Sequence, residues 1–278
     1  MADTLAGGRF IATASGRSLS AGLRRLAVLL LLLPGLTACI TQSERVFNTE
    51  VSKEEALTRR VELARKYIGD GNWEDAKRNL KLAEEIDSRN PEVYEAFALV
   101  YQSTGEYEQA EENFERAISL QKDFSRARNN YAAFLYSQGR FEEAQSQLEL
   151  VIKDTLYESR PQAFINLGLC RIRLGNDDGA RDALRRALTM DRGNSLATIE
   201  LASLEFRAGN YDLAERYLEN YRKFRRQQPP RALWLGLQLA HARDDANAKA
   251  SYALALRNLY PDSAEYRAYE QAVKNGEL

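Results

Sequence analysis

Few side chains in this sequence are of types that do chemistry, and their spacing limits what they can do. The one histidine, His241, and the two cysteines, Cys39 and Cys170, lie far apart. A structural zinc site takes four ligands, so this set predicts no metal centre. Neither G-x-x-x-x-G-K-[ST] nor a G-x-G-x-x-G after a strand occurs, and no nucleotide site is expected. Neighbouring carboxylates stand at Glu111-Glu112 and Glu142-Glu143. Successive residues of a helix do not face each other, so these pairs are expected on a solvated helix face and not as an acid–base couple. The basic run Arg222 to Arg226 is expected as a solvated edge. Lys and Arg number 39 against 40 Asp and Glu, a net charge of -1, so no overall field selects nucleic acid. The expectation is a protein that catalyses nothing and carries no cofactor, metal or small-molecule substrate.

Cys39 has a context of its own. Basic Arg17, Arg24 and Arg25 precede an apolar run from Leu26 to Leu33, which stops at Pro34-Gly35. A bilayer-spanning helix needs about 20 apolar residues, so the run is too short to span and is expected as a cleaved export signal, residues 1–38. Leu36-Thr37-Ala38-Cys39 resembles a bacterial lipobox. That resemblance implies cleavage before a diacylglycerol-loaded Cys39 thiol. Ile40, in place of a retaining aspartate, implies the outer membrane, with the rest of the chain facing the periplasm. Residues 39–56 are expected as a polar tether. With Cys39 lipidated, Cys170 has no disulfide partner.

The elements behind these residues follow from a repeat. A turn glycine followed five residues later by alanine recurs in Gly71-Asn72-Trp73-Glu74-Asp75-Ala76 and ends again at Ala110, Ala144, Ala180 and Ala214, with a degenerate sixth copy at Ala248. The alanines are 34, 34, 36, 34 and 34 residues apart, and 34 is the tetratricopeptide period. The expected fold is all-α, a right-handed superhelical solenoid of six tetratricopeptide helix-turn-helix repeats plus a C-terminal capping helix. The repeats are placed at 57–90, 91–124, 125–160, 161–194, 195–228 and 229–262, and the cap at 263–278. Glycine lets the chain leave the first helix through a left-handed turn. Ala98, Ala132, Gly168, Ala202 and Gly236 are expected to face the turn alanines at close approach. The two extra residues fall around Asp154-Thr155-Leu156-Tyr157, where a local change of pitch is expected. The sixth repeat lacks the turn glycine.

A lipobox followed by six such repeats resembles the type IV pilus biogenesis and stability lipoproteins of the PilW/PilF type, which act as pilotins. Strings beyond generic repeat consensus carry the likeness: Asn129-Asn130-Tyr131 through Phe134-Leu135-Tyr136, Asp154-Thr155-Leu156-Tyr157, and Leu259-Tyr260-Pro261-Asp262-Ser263-Ala264-Glu265-Tyr266. The resemblance implies a lipid-anchored carrier that brings secretin subunits to the outer membrane, where they assemble. No charged clamp for a peptide carboxylate is recognisable, since Ser137-Gln138-Gly139 stands there. The alternative is a repeat lipoprotein of another envelope machine, in outer-membrane-protein assembly or cell-wall synthesis. The partner is expected in a concave groove lined by positions 2, 5, 9 and 12 of each first helix. In repeat two this stripe is largely polar (Glu92, Glu95, Leu99, Gln102). Elsewhere it holds Val61, Ile68, Ile165, Leu169, Ile172, Leu196, Ile199 and Phe206, with Tyr136 near the middle. Contiguous exposed apolar residues of this kind mark interaction sites.

Cys39 is predicted to be the acylated first residue of the mature protein. Intact-mass spectrometry should find the N-terminus there with lipid mass, and a bare Cys39 terminus contradicts it.

Overall fold

The computed structural model describes residues 52–278 other than Phe224 and Arg226. The signal segment 1–38, Cys39 and the tether as far as residue 51 lie outside the described residues. Thirteen helices and no strand are found among those described. They are α1 (Lys53–Gly69), α2 (Trp73–Ile86), α3 (Pro91–Thr104), α4 (Tyr107–Leu120), α5 (Ser125–Ser137), α6 (Phe141–Val151), α7 (Arg160–Arg173), α8 (Asp177–Met190), α9 (Ser195–Arg207), α10 (Tyr211–Lys223), α11 (Pro230–Ala242), α12 (Ala246–Leu259) and α13 (Ala264–Lys274). Odd-numbered helices up to α11 are first helices and even-numbered ones second. Each packs on its hairpin partner, and each second helix packs on the next first helix.

The local signals that end and start these helices are explicit. Gly71, Gly105, Gly139, Gly175 and Gly209 all have φ between 71° and 83°. In each turn the glycine amide bonds to the carbonyl three residues back and the next amide to the carbonyl five before it, as in Gly209 to Phe206 (3.0 Å) and Asn210 to Glu205 (2.9 Å). This closes the orphan carbonyls at the helix end. Side-chain caps then start several helices: Asn90 accepts from the amides of Glu92 and Val93, Asn194 from Ala197, and Asp245 from Ala248. The sixth turn closes in the same way without glycine. Asp244 takes the left-handed conformation, φ 57°, one residue later than the period points to. Its amide bonds to His241, and that of Asp245 to Ala240.

Small residues set the distance between helices. The turn alanines Ala76, Ala110, Ala144, Ala180 and Ala214 are all fully buried. Four residues beyond them, one helical turn on, stand Leu80, Phe114, Leu148, Leu184 and Leu218, each at most 1% exposed. Full burial of such a side chain contributes about 1.5–3 kcal/mol. At Gly168 the approach is close, since a Cβ there would lie 2.7 Å from Leu184 Cγ and 3.5 Å from the Ala180 carbonyl. The sixth hairpin departs from the pattern. Ala248 is only half-buried, and Gly236 is covered by the Tyr252 ring. Helix α13 packs on both helices of that hairpin, and Tyr252, Tyr266 and Tyr269 fill the space between them.

The insertion shortens α6 to 11 residues, against 14 in α4 and α8, and lengthens the following loop to residues 152–159. That loop is built, not slack. Ser125 Oγ donates to Asp154 Oδ2 (2.6 Å), the Leu156 amide to Asp154 Oδ1 (3.0 Å), and Arg160 Nε to the Ile152 carbonyl (2.8 Å). Ion pairs link successive repeats along the turn edge: Lys77–Glu106, Arg140–Glu111, Arg207–Asp177 and Arg243–Asp212, at 2.6–3.1 Å. Being partly solvated, each contributes at most about 1 kcal/mol.

Asp244→Gly is expected to stabilise the sixth hairpin by about 1 kcal/mol, because glycine adopts the left-handed conformation without steric cost. A higher urea midpoint at unchanged slope is the check.

Candidate functional site

The first-helix face is the place to look for a partner site, and the structure divides the expected stripe into three classes. The residues at its fifth position form a buried row between successive first helices: Val61 (4% exposed), Glu95 (0%), Asn129 (8%), Ile165 (0%) and Ile199 (5%). Val61, Ile165 and Ile199 are therefore core residues and do not line a groove. Neighbouring first helices are in contact, α1 with α3, α3 with α5, and α5 with α7, and this contact closes over the row. Leu196 is corrected differently. It is 39% exposed, but lies in the first turn of α9, at the edge of the solenoid.

Ile68, Leu99, Tyr136, Leu169, Ile172 and Phe206 make the third class. All are half-buried, with one side against the core and the other open. Tyr136 and Leu169 meet at a cavity of about 90 Å³ between α5, α6 and α7, whose walls include Ala132, Asn166 and Cys170. Tyr136 sits edge-on to Phe141 (5.1 Å between centroids), and the Arg173 guanidinium lies over both rings, at 5.8 Å from Tyr136 and 4.4 Å from Phe141. Cys170 is 1% exposed, and burial pushes its thiol up to about 11, so it behaves as a core residue and not as a nucleophile.

Polar residues cross between first helices beside this apolar surface. Glu95 accepts from Arg65 (2.5 Å) and Asn130 (2.6 Å), and Arg126 reaches Glu92 at 3.1 Å. Asn166 donates to Asn129 (3.2 Å) and accepts from Gln162 (2.9 Å). The expectation that Glu95 lines an open groove is overturned, since it is fully buried. A carboxylate with no exposed surface must be paired, and cations and amides from both neighbouring repeats pair it. Two further buried acids follow the same rule. Arg231 holds Glu200 through two bonds of 2.6 and 2.7 Å, which raises the guanidinium pKa, and Arg185 and Asn210 hold Glu205 at 2.7 and 2.8 Å. Sequence reasoning missed these acids. The signal available for them was an acid amid apolar residues, with a basic residue 20 positions away for Glu205, 30 for Glu95 and 31 for Glu200. Of the carboxylate pairs, Glu112 is exposed, while Glu111 accepts from Tyr131 Oη (2.8 Å) and Arg140, an anchoring role and not a catalytic one. Among the described residues no group of three His, Cys, Asp or Glu could hold a metal ion.

The tetratricopeptide repeat model matches residues 101–166 and 171–238. The type IV pilus assembly protein PilF of Pseudomonas aeruginosa is 34% identical over 247 residues, covering 88% of this chain and 98% of the relative. The chain belongs to the PilF family of type IV pilus biogenesis proteins. The solved structure of Pseudomonas aeruginosa PilF superposes with a TM-score of 0.74 at 33% identity, covering 79% of this chain and 98% of that one. That of PilW, a widely conserved type IV pilus biogenesis factor, gives 0.69 at 26% identity, covering 77% and 97%. As a PilF-family member the chain is a repeat scaffold of pilus biogenesis.

The division of the stripe is testable. Ile165→Asp buries an unpaired carboxyl and should cost more than about 4 kcal/mol, enough to unfold much of the solenoid. Leu196→Asp, exposed at an edge, should leave the melting temperature within a few degrees of wild type by circular dichroism.

Proposed function

We propose that this chain is a pilotin: an outer-membrane lipoprotein, anchored through Cys39 and facing the periplasm, that binds secretin subunits and promotes their localisation and multimerisation for the type IV pilus. The observation that carries this reading is a family relationship to PilF that runs almost the whole length of the relative, joined to an export signal ending in Leu36-Thr37-Ala38-Cys39. Two or more acyl chains on that cysteine hold a near-neutral domain at a bilayer without help from a membrane-spanning helix. Among the described residues no helix is long and apolar enough to cross a membrane.

The secretin segment is taken by the half-buried first-helix surface around Leu99, Tyr136, Leu169 and Ile172. These side chains are positioned by the core behind them, so little ordering accompanies binding. No chemistry is performed on the ligand. The protein works by holding it, and the chemistry-bearing residues are spent on packing and on ties between repeats.

Deletion of the gene is expected to leave secretin monomer made while its heat-stable multimers vanish, read by immunoblot of outer-membrane fractions. Multimers at normal abundance would count against the pilotin role. Tyr136→Ala should weaken pull-down of the native secretin while circular dichroism stays that of wild type, and undiminished capture would place the ligand elsewhere.

A further inference from the structure

Within each hairpin the two helices run in opposite directions, so all first helices begin, and all second helices end, at one edge of the solenoid. That edge is unusually apolar. Leu150 is 46% exposed, Leu156 91%, Met190 43%, Leu196 39% and Leu259 53%, and each lies in the last turn of a second helix, the first turn of a first helix, or the loop between them. Within the repeats, the opposite edge exposes Tyr107 and Tyr211, which have polar tips. Leu156 is displayed by the bonded turn described above, on an insertion that Ser125 and Arg160 hold in place.

Lys122, Lys153 and Arg192 stand in the loops of this edge, and among the described residues none of the three is in an ion pair. Of the acids in these loops, Asp154 is half-buried and accepts from Ser125 and the Leu156 amide, and Asp191 accepts from the Gly193 amide (3.2 Å) and Asn194 (3.0 Å), while Asp123 and Glu158 are exposed. Free cations beside exposed leucines suit a surface with anionic headgroups over an apolar interior, where each cation contributes about 1 kcal/mol.

The chain's own connectivity names the occupant. Helix α1 begins at Lys53 at this same edge, and Lys53 lies 14 positions beyond Cys39. A chain of that length reaches at most about 49 Å when fully extended. We infer that the edge carrying Leu156 lies on the phospholipid surface to which Cys39 is anchored, with Leu150, Leu156 and Met190 at the headgroup boundary and Lys122, Lys153 and Arg192 among anionic headgroups. This inference rests on the lipid-anchored reading above. It leaves the first-helix face directed along the membrane, free to hold a ligand.

The test uses the acylated mature protein carrying an environment-sensitive fluorophore at Leu156→Cys or, as a control on the opposite edge, at Glu108→Cys. Buried Cys170 does not compete for the label. With vesicles of phosphatidylethanolamine and phosphatidylglycerol, the probe at position 156 should shift to the blue and lose emission to nitroxide-bearing lipid, and that at 108 should do neither. Protein that floats with the vesicles while both probes stay unquenched overturns the edge inference and leaves the anchor intact. Failure to float overturns the anchor, and the inference falls with it. A probe at 156 shielded only when secretin is added makes this edge a protein interface and likewise overturns the proposal.

Discussion

A helical hairpin of this kind cannot bury both of its apolar sides by itself. The second helix covers one side of the first, and only the next hairpin can cover the other. Everything else in the structure follows from that need for a neighbour. It sets the requirement for small residues at the turn, because alanines and Gly168 let two backbones approach until Leu184 fills the gap. It explains the aromatic terminal cap as well, since the last hairpin has no successor and α13 takes that place with tyrosines.

Apolar contact between repeats is non-directional and would tolerate sliding. The buried acids remove that freedom. Glu95, Glu200 and Glu205 each lack appreciable contact with water, and each finds its cation on a different helix, mostly in a neighbouring repeat. A shift of one helix against another would leave a carboxylate unpaired in the core, which costs far more than an exposed pair contributes. The ion pairs along the turn edge act in the same sense but weakly. The scaffold is thus held in one register by a few polar ties inside a mostly apolar stack.

What remains for binding is the surface these demands do not consume. The fifth position of each first helix is spent on stacking, while in repeats one to five the ninth and twelfth stay at least partly open. The surface around Tyr136 and Leu169 accordingly rests on packed core, with a small cavity beneath it. The family works in pilus biogenesis, and the repeats of this member leave such a face partly open.

Much of this was legible in the residues alone. The 34-residue period, the glycine turns and the alanines are local signals, each imposed by the steric needs of one hairpin, so they determined the helices, their order and the all-α stack. The strings at Asn129, Asp154 and Leu259 pointed to the family. Three things were decided only in the folded chain. Val61, Ile165 and Ile199 repeat with the same period as a groove lining would, and whether such a row faces solvent or the next repeat depends on how closely first helices stack. Glu95 looks like any surface acid until Arg65 and Asn130, 30 and 35 residues away, are brought around it. Asp244 replaces a glycine one position late, because the turn needs a left-handed residue and not a particular residue type. In each case the deciding contact lies a whole repeat away or in the backbone geometry, where the pattern of a single helix carries no information.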